Sequence, residues 1–188
     1  VPRDPSCRET SEMAEFRAAA KASGIEISTH YNSPEYWTER YTNDKIQFDW
    51  LLRYASFRDV LLKYTTRSSY VLDAGCGSSR LGEDMIGDGF ENVVGVDSCS
   101  VVIGDMRAKH AMTTGLSYEE KDAFTLDGIP DETVECVIAK AILDSLLCGE
   151  GGPENAAKLV AAARRVLKTG GVLVVVSLAP PQKRGSFF

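Results

Sequence analysis

The chain has 188 residues, 44% of them hydrophobic, and a formal charge of −6 with a pI near 5.0. That length and apolar share suit one domain with a proper core, and no run approaches the ~20 apolar residues of a membrane-spanning helix. No basic stripe is visible along which a nucleic-acid backbone would run, so a nucleic-acid binder is disfavoured.

Five cysteines occur, Cys7, Cys76, Cys99, Cys136 and Cys148. The odd count without a C-x-x-C spacing argues against a disulfide framework and against a zinc site; no metal is expected, and a reducing, cytoplasmic compartment is favoured. The chain begins at Val1, and residues 1–10 lack the apolar stretch of a secretory signal.

In chain order, residues 1–10 are polar with Pro2 and Pro5, and are expected to lack regular structure. Ser11 is placed to cap a short helix through Lys21, and residues 25–35 read as a loop. The domain proper is expected over 34–188, with 1–33 as an extension. Tyr36-Trp37-Thr38-Glu39-Arg40-Tyr41 is rich in aromatics. A helix is predicted over Trp50–Tyr64, with Leu51, Leu52, Ala55, Val60 and Leu61 on its apolar face. From Tyr70 short strands alternate with helices: strands at Tyr70–Asp73, Asn92–Asp97, Leu116–Glu120, Glu135–Lys140 and Val172–Ser177, and helices at Leu81–Gly87, Val101–Thr114 and Glu154–Leu167. Lys168-Thr169-Gly170-Gly171 is read as the stop of the last helix. This alternation predicts an α/β fold with a doubly wound, mostly parallel sheet.

The chemistry-bearing motifs lie at the ends of these strands. Val71-Leu72-Asp73-Ala74-Gly75-Cys76-Gly77-Ser78-Ser79 runs an apolar strand into an acid and then G-x-G. Gly75 and Gly77 let the backbone turn tightly and leave room for a ligand, and ligands of open parallel sheets bind at the carboxyl ends of the strands. Asp97 ends the second strand; it either accepts from both ribose hydroxyls of an adenosine or simply caps the next helix. A dinucleotide loop needs a third glycine where Arg80 stands, which disfavours a diphosphate and leaves S-adenosylmethionine (SAM), which has none. Asp122, after the third strand, either accepts from an adenine amino group or belongs to a solvated charge cluster. Lys140 and Asp144 follow the fourth strand; one is either beside the cofactor or a snorkelling surface lysine, the other either on the substrate rim or a turn cap. The segment Tyr36–Tyr41 with Trp50 is either a helix packed on the sheet or a lid, with Arg40 pairing the methionine carboxylate and aromatics near the sulfonium.

Tyr36-Trp37-x-x-Arg40-Tyr41, Phe48-Asp49-Trp50, the glycine motif, Val96-Asp97-Ser98 and Lys140-x-x-Leu143-Asp144-Ser145-Leu146-Leu147 together resemble the seven-β-strand, class I SAM-dependent methyltransferases related to the elongation factor 1-alpha lysine methyltransferases. The resemblance runs from about Tyr36 to about Pro180. It implies a Rossmann-like fold with an N-terminal helical lid. It implies contacts to SAM, with S-adenosylhomocysteine as product, at Trp37, Tyr41, Trp50, Gly75, Asp97, Ser98, Asp122, Ala123 and Lys140. It also implies methylation of a lysine in a protein partner, with Asp144 orienting the incoming amine. Two departures stand out. Ala141-Ile142 replaces the family's Gly-Thr pair. Only Leu178–Phe188 follow the fifth strand, too few for the family's last two, so a truncated sheet with Val172–Val176 as an apolar edge is expected. A small-molecule methyltransferase, a catalytically silent SAM-binding interaction protein and, more distantly, a nicotinamide oxidoreductase are the alternatives.

Overall fold

The computed structural model describes residues 31–149 and 151–188; the helix expected over Ser11–Lys21 lies outside them. Five strands form one sheet: β1 (Tyr70–Ala74), β2 (Asn92–Asp97), β3 (Leu116–Glu120), β4 (Val134–Lys140) and β5 (Leu167–Val176). Their order is β3-β2-β1-β4-β5 and every neighbouring pair is parallel. The doubly wound α/β sheet expected from the sequence is therefore the architecture, and strand order reverses between β1 and β4.

The helices are α1 (Pro34–Asn43), α2 (Tyr54–Leu61), α3 (Leu81–Gly87), α4 (Ser100–Lys109), α5 (Ile142–Leu146), α6 (Gly152–Val166) and α7 (Pro181–Arg184), the last followed by a 3₁₀ turn at Gly185–Phe187. Side chains alternate across the sheet. Val71, Val93, Cys136 and Ile138 face a core shared with α1 to α4; Leu72, Val94, Val96 and Val137 face one shared with α5 and α6. Because helices cover both faces, the central strands read as near-continuous apolar runs.

Local chemistry sets the helix ends. Ser33 caps α1, its Oγ accepting from the Tyr36 N–H at 3.4 Å, with Pro34 in the first turn. The helix expected over Trp50–Tyr64 shrinks to α2. Leu51 has φ 65°, and Arg53 is extended before the first turn, so the backbone cannot be helical until Tyr54. The buried stripe is Tyr54, Phe57 and Leu61; Leu52 and Val60, expected inside, are 44% and 51% exposed. Two interleaved sets of apolar residues compete here, and the one carrying the aromatics buries more area.

Lys168–Gly171 does not form a separate stop. α6 passes directly into β5, and the ladder shifts register between Val134 and Cys136, whose partners are Leu167 and Val172. The surplus residues loop out there, with Gly170 at φ 83°. After β5 the 3₁₀ turn folds against α6. Among the described residues no helix is long and apolar enough to cross a membrane. Cys76, Cys99, Cys136 and Cys148 are all buried.

Candidate functional site

A cavity opens at the carboxyl ends of β1, β2 and β4, where the strand order reverses. This is where an open parallel sheet offers backbone and side chains to a ligand. Its floor begins with the glycine turn after β1. Gly75 and Cys76 N–H groups donate to the Val96 carbonyl at 2.8 and 3.0 Å, and the Gly77 N–H donates to Asp97 Oδ2 at 3.0 Å. Gly75 and Gly77 have φ 70° and 49°. A β-carbon on Gly77 would stand 2.4 Å from the Tyr41 hydroxyl, and one on Gly75 2.6 Å from Ile142 Cδ1. The turn is thus clamped between α1 and α5, at positions where glycine relieves both torsion and crowding.

Asp97 ends β2 at the edge of the cavity. Its Oδ1 accepts from the Cys99 N–H at 2.9 Å, at the head of α4, while the residue lines the cavity. Burial pushes its carboxyl up, and backbone N–H groups at Cys99 and Gly77 pull the other way. Each oxygen keeps acceptor capacity for a ligand hydroxyl. The Lys121 N–H donates to the Asp97 carbonyl at 3.0 Å, which brings the loop after β3 against the end of β2. Ser98, Asp122 and Ala123 line that side. Asp122 Oδ1 also accepts from the Phe124 N–H at 2.8 Å.

Asp73 is 3% exposed and lines the cavity, and its Oδ1 has no hydrogen-bond partner among the described residues. Burial pushes its carboxyl up to about 7, against the pull of Lys140 and with the push of Asp97 and Asp49. Lys140 does not snorkel to the surface. It is 6% exposed, and its Nζ donates to Asp49 Oδ1 at 3.2 Å and to the Trp50 carbonyl at 3.3 Å.

The roof is aromatic. Tyr31 stacks on Trp37 at 5.6 Å between centroids, Trp37 stacks on Tyr41 at 5.7 Å, and Trp50 meets Trp37 edge-on at 6.1 Å. The Trp37 indole N–H donates to the Tyr31 carbonyl at 2.7 Å. Arg40, expected to pair a ligand carboxylate, does not line the cavity. One residue before Tyr41 on α1, it is turned about 100° away, and its guanidinium lies over the rings of Trp50 and Phe48, at 5.3 and 5.9 Å.

Asp144, expected to orient an incoming amine, lines the cavity but is only 5% exposed. Its Oδ1 accepts from the Ser177 hydroxyl at 2.6 Å, Arg184 Nη2 at 3.0 Å and the Leu178 N–H at 3.3 Å. The segment after β5 folds back to supply these donors, so the carboxylate is already compensated and anchors that segment. Burial still pushes its carboxyl up, opposed by Ser177 and Arg184.

Sequence reasoning missed Tyr31, Ile142 and Leu178 in the lining, and the link between Asp49, Ser79 and Lys140. Only Asp49 left a signal, its place beside Trp50. The arrangement offers acceptors for hydroxyl and ammonium groups and an aromatic wall. It suits a reaction driven by orientation more than by proton transfer.

Comparison with known proteins agrees. Residues 72–175 match the family described as Methyltransferase domain. The chain is 30% identical over 169 residues to mouse EEF1A lysine methyltransferase 4, covering 85% of this chain and 66% of that protein. It is 31% identical over 156 residues to mouse eEF1A lysine and N-terminal methyltransferase, covering 81% of this chain and 22% of that one. The chain therefore spans less than two thirds of either relative. Among solved structures, Haemonchus contortus phosphoethanolamine N-methyltransferase 1, in complex with phosphoethanolamine and S-adenosylhomocysteine, has a TM-score of 0.59 at 17% identity, covering 82% of this chain and 33% of that one. That likeness is one of fold.

Proposed function

The chain belongs to the methyltransferase domain family, and from that premise we propose that it moves a methyl group from SAM to a lysine of a protein. The observation that carries the donor half is the Asp73 carboxylate, buried at the cavity floor with one oxygen unpartnered. A buried acceptor without a donor costs free energy unless a ligand supplies one. The methionine ammonium of SAM is such a donor.

The other residues fit the same ligand. Asp97 offers oxygens to the ribose hydroxyls, with Ser98 beside it. Asp122 offers a carboxylate to the adenine amino group, and Ala123 can add only backbone polar groups. Gly75 and Gly77 keep the turn free of side chains where the ligand must approach. Trp37, Tyr41 and Trp50 face a cation well, since a ring face is negative. Arg80 in place of a third glycine leaves no diphosphate cradle.

When bound, SAM supplies an electrophilic methyl on a sulfonium, whose leaving thioether needs no acid. The chain's residues have to hold the acceptor in line, exclude water and let a lysine lose its proton; a partly desolvated channel lowers an ammonium's pKa and favours that loss. The walls nearest α5, including Ile142 and Ser145, are the acceptor side in this reading. The lysine-in-protein half is supported by the likeness to EEF1A lysine methyltransferase 4 and to eEF1A lysine and N-terminal methyltransferase.

The test is incubation of a cell lysate with methyl-labelled SAM and the protein. A labelled protein band, with the label recovered as methyl-lysine after hydrolysis, is the expected outcome. Label found only in small metabolites would replace the lysine acceptor with a small molecule. Tight SAM binding with no transfer at all would leave a binding protein.

A further inference from the structure

We propose that Asp49 is a positioning residue: it holds the Trp50 segment in the roof and keeps Lys140 off Asp73, so that the floor stays open to the donor. This rests on the reading of the cavity as a SAM site. Asp49 itself does not line the cavity. It sits behind the wall, its side chain 8% exposed, against a Lys140 side chain 4% exposed.

One oxygen joins three parts of the fold. Asp49 Oδ1 accepts from the Ser79 hydroxyl at 2.6 Å and from Lys140 Nζ at 3.2 Å. Ser79 closes the glycine turn, and its Oγ accepts in turn from the Leu81 N–H at 3.1 Å, at the head of α3. Lys140 ends β4, and its second bond goes to the Trp50 carbonyl. The segment carrying Trp50 is thereby fastened to the ends of β1 and β4.

That fastening is needed because the segment is strained. The Leu52 N–H donates back to the Trp50 carbonyl at 2.9 Å, around Leu51 at φ 65°. A three-residue turn with a positive central φ is disfavoured for a leucine, and such strain persists only where the surroundings impose it. Apolar burial alone does not impose it: Leu51 is only partly buried against the core, Ile46 is 76% exposed and Leu52 44%. The polar tie and the ring contacts of Trp50 do.

The tie also allocates charge. Lys140 is the cation that pulls on Asp73, yet its hydrogen bonds go to Asp49 and Trp50 and leave Asp73 Oδ1 unpartnered among the described residues. A Lys140 released from Asp49 would turn toward Asp73, the carboxylate it already pulls on, since a buried charge without a partner is expensive. It would then compete with a ligand ammonium for Asp73.

The experiment uses both consequences. The chain has two tryptophans, so in a Trp37→Phe background Trp50 is the sole tryptophan, read by excitation beyond the tyrosine absorption band. Adding Asp49→Asn there should shift Trp50 emission to longer wavelength and raise its quenching by acrylamide. In the chain with both tryptophans, Asp49→Asn should weaken S-adenosylhomocysteine binding in calorimetry about tenfold. It should also flatten the dependence of that affinity on pH below about 7, because Asp73 is then held by Lys140. Asp49→Glu should recover the pH profile. Unchanged Trp50 emission and quenching would overturn the tie, and an unaltered pH profile would overturn the charge allocation. Should Asp49→Asn fail to fold, Ser79→Ala removes one bond without unpairing Lys140, and an unmoved Trp50 emission there overturns the tie equally. Failure of the unaltered protein to bind S-adenosylhomocysteine would sink the cofactor reading instead, and the fluorescence arm would still decide the role of Asp49.

Discussion

Asp73, Gly77 and Asp97 lie in the floor of the cavity because β1 and β2 end there, whereas Trp37, Tyr41 and Trp50 lie in its roof because side chains tie down a helix and an irregular segment. The floor is fixed by strand register: Asp73 pairs Gly95 and Ala74 pairs Val96, so the acid of one strand and the turn against the next cannot drift apart. The roof is fixed by contacts between residues far apart in the chain. Floor positions should therefore respond to substitution as all-or-none, and roof positions by degrees.

Asp97→Ala should give the largest effect. It removes the acceptor of two backbone N–H groups and, in the proposed complex, of the ribose hydroxyls. A hydrogen bond to a charged group contributes about 1.5–3 kcal/mol, so a loss of about 3 kcal/mol, a hundredfold or more in SAM affinity, should appear in calorimetry. A loss below tenfold would mean that the floor is not the anchor. Trp37→Ala should cost less, roughly 1–2 kcal/mol of affinity from a lost aromatic wall, with the melting of the sheet, followed by far-ultraviolet circular dichroism, little changed. A collapse of the sheet in that variant would erase the distinction between the two regions.

The third expectation separates them by pH. Asp73 has its carboxyl raised from 3.8 to about 7. Below that value the free protein holds it protonated, and binding of an ammonium must expel the proton. Affinity for SAM should then fall as pH drops below about 7, approaching tenfold per unit. Without ligand the slope of stability is the opposite. Between 3.8 and about 7 the folded state binds more protons than the unfolded chain, so stability falls as pH rises through that window. Asp73→Asn should remove both slopes, and roof variants that leave Lys140 paired should keep them.

The smallest effect is expected at Ala141→Gly. Ala141 follows β4 at φ 65° and its N–H donates to the Val176 carbonyl at 2.9 Å. A side chain in that left-handed region is strained by about 1–2 kcal/mol, and glycine's greater freedom in the unfolded chain offsets part of the relief. A gain of about 0.5–1 kcal/mol in denaturant unfolding is the expected outcome. A loss would show that the methyl group packs well enough to outweigh its torsion. The resembling family carries glycine here, so this departure bears first on backbone conformation.

The same contrast explains what could be read from the chain alone. The strand spans and the floor residues were legible because each is a local pattern, an apolar run ending in an acid or a glycine. β2 and β3 fall where their patterns place them, and Asp73, Gly75, Gly77 and Asp97 gather at the switch point. The roof announced itself only as an excess of aromatics. Which face of α2 turns inward depends on packing against α3 and the sheet, which a helical period does not encode. Lys140 finds Asp49 across 91 residues, and Arg184 finds Asp144 across 40. Such pairs leave no trace in local spacing, so neither the burial of Lys140 against Asp49 nor the engagement of Asp144 by the segment after β5 could be read from the chain.

The buried cysteines differ in where they sit. Cys76 and Cys99 line the cavity, whereas Cys136 is in the middle of β4, fully buried, with β1 on one side and β5 on the other. A thiol reagent therefore reads two kinds of breathing in one molecule. Modification at Cys76 and Cys99 follows any loosening of the roof, while Cys136 reacts only when the sheet itself opens. Mass mapping of a timed alkylation would rank these motions, and a bound donor should slow the first pair far more than the last.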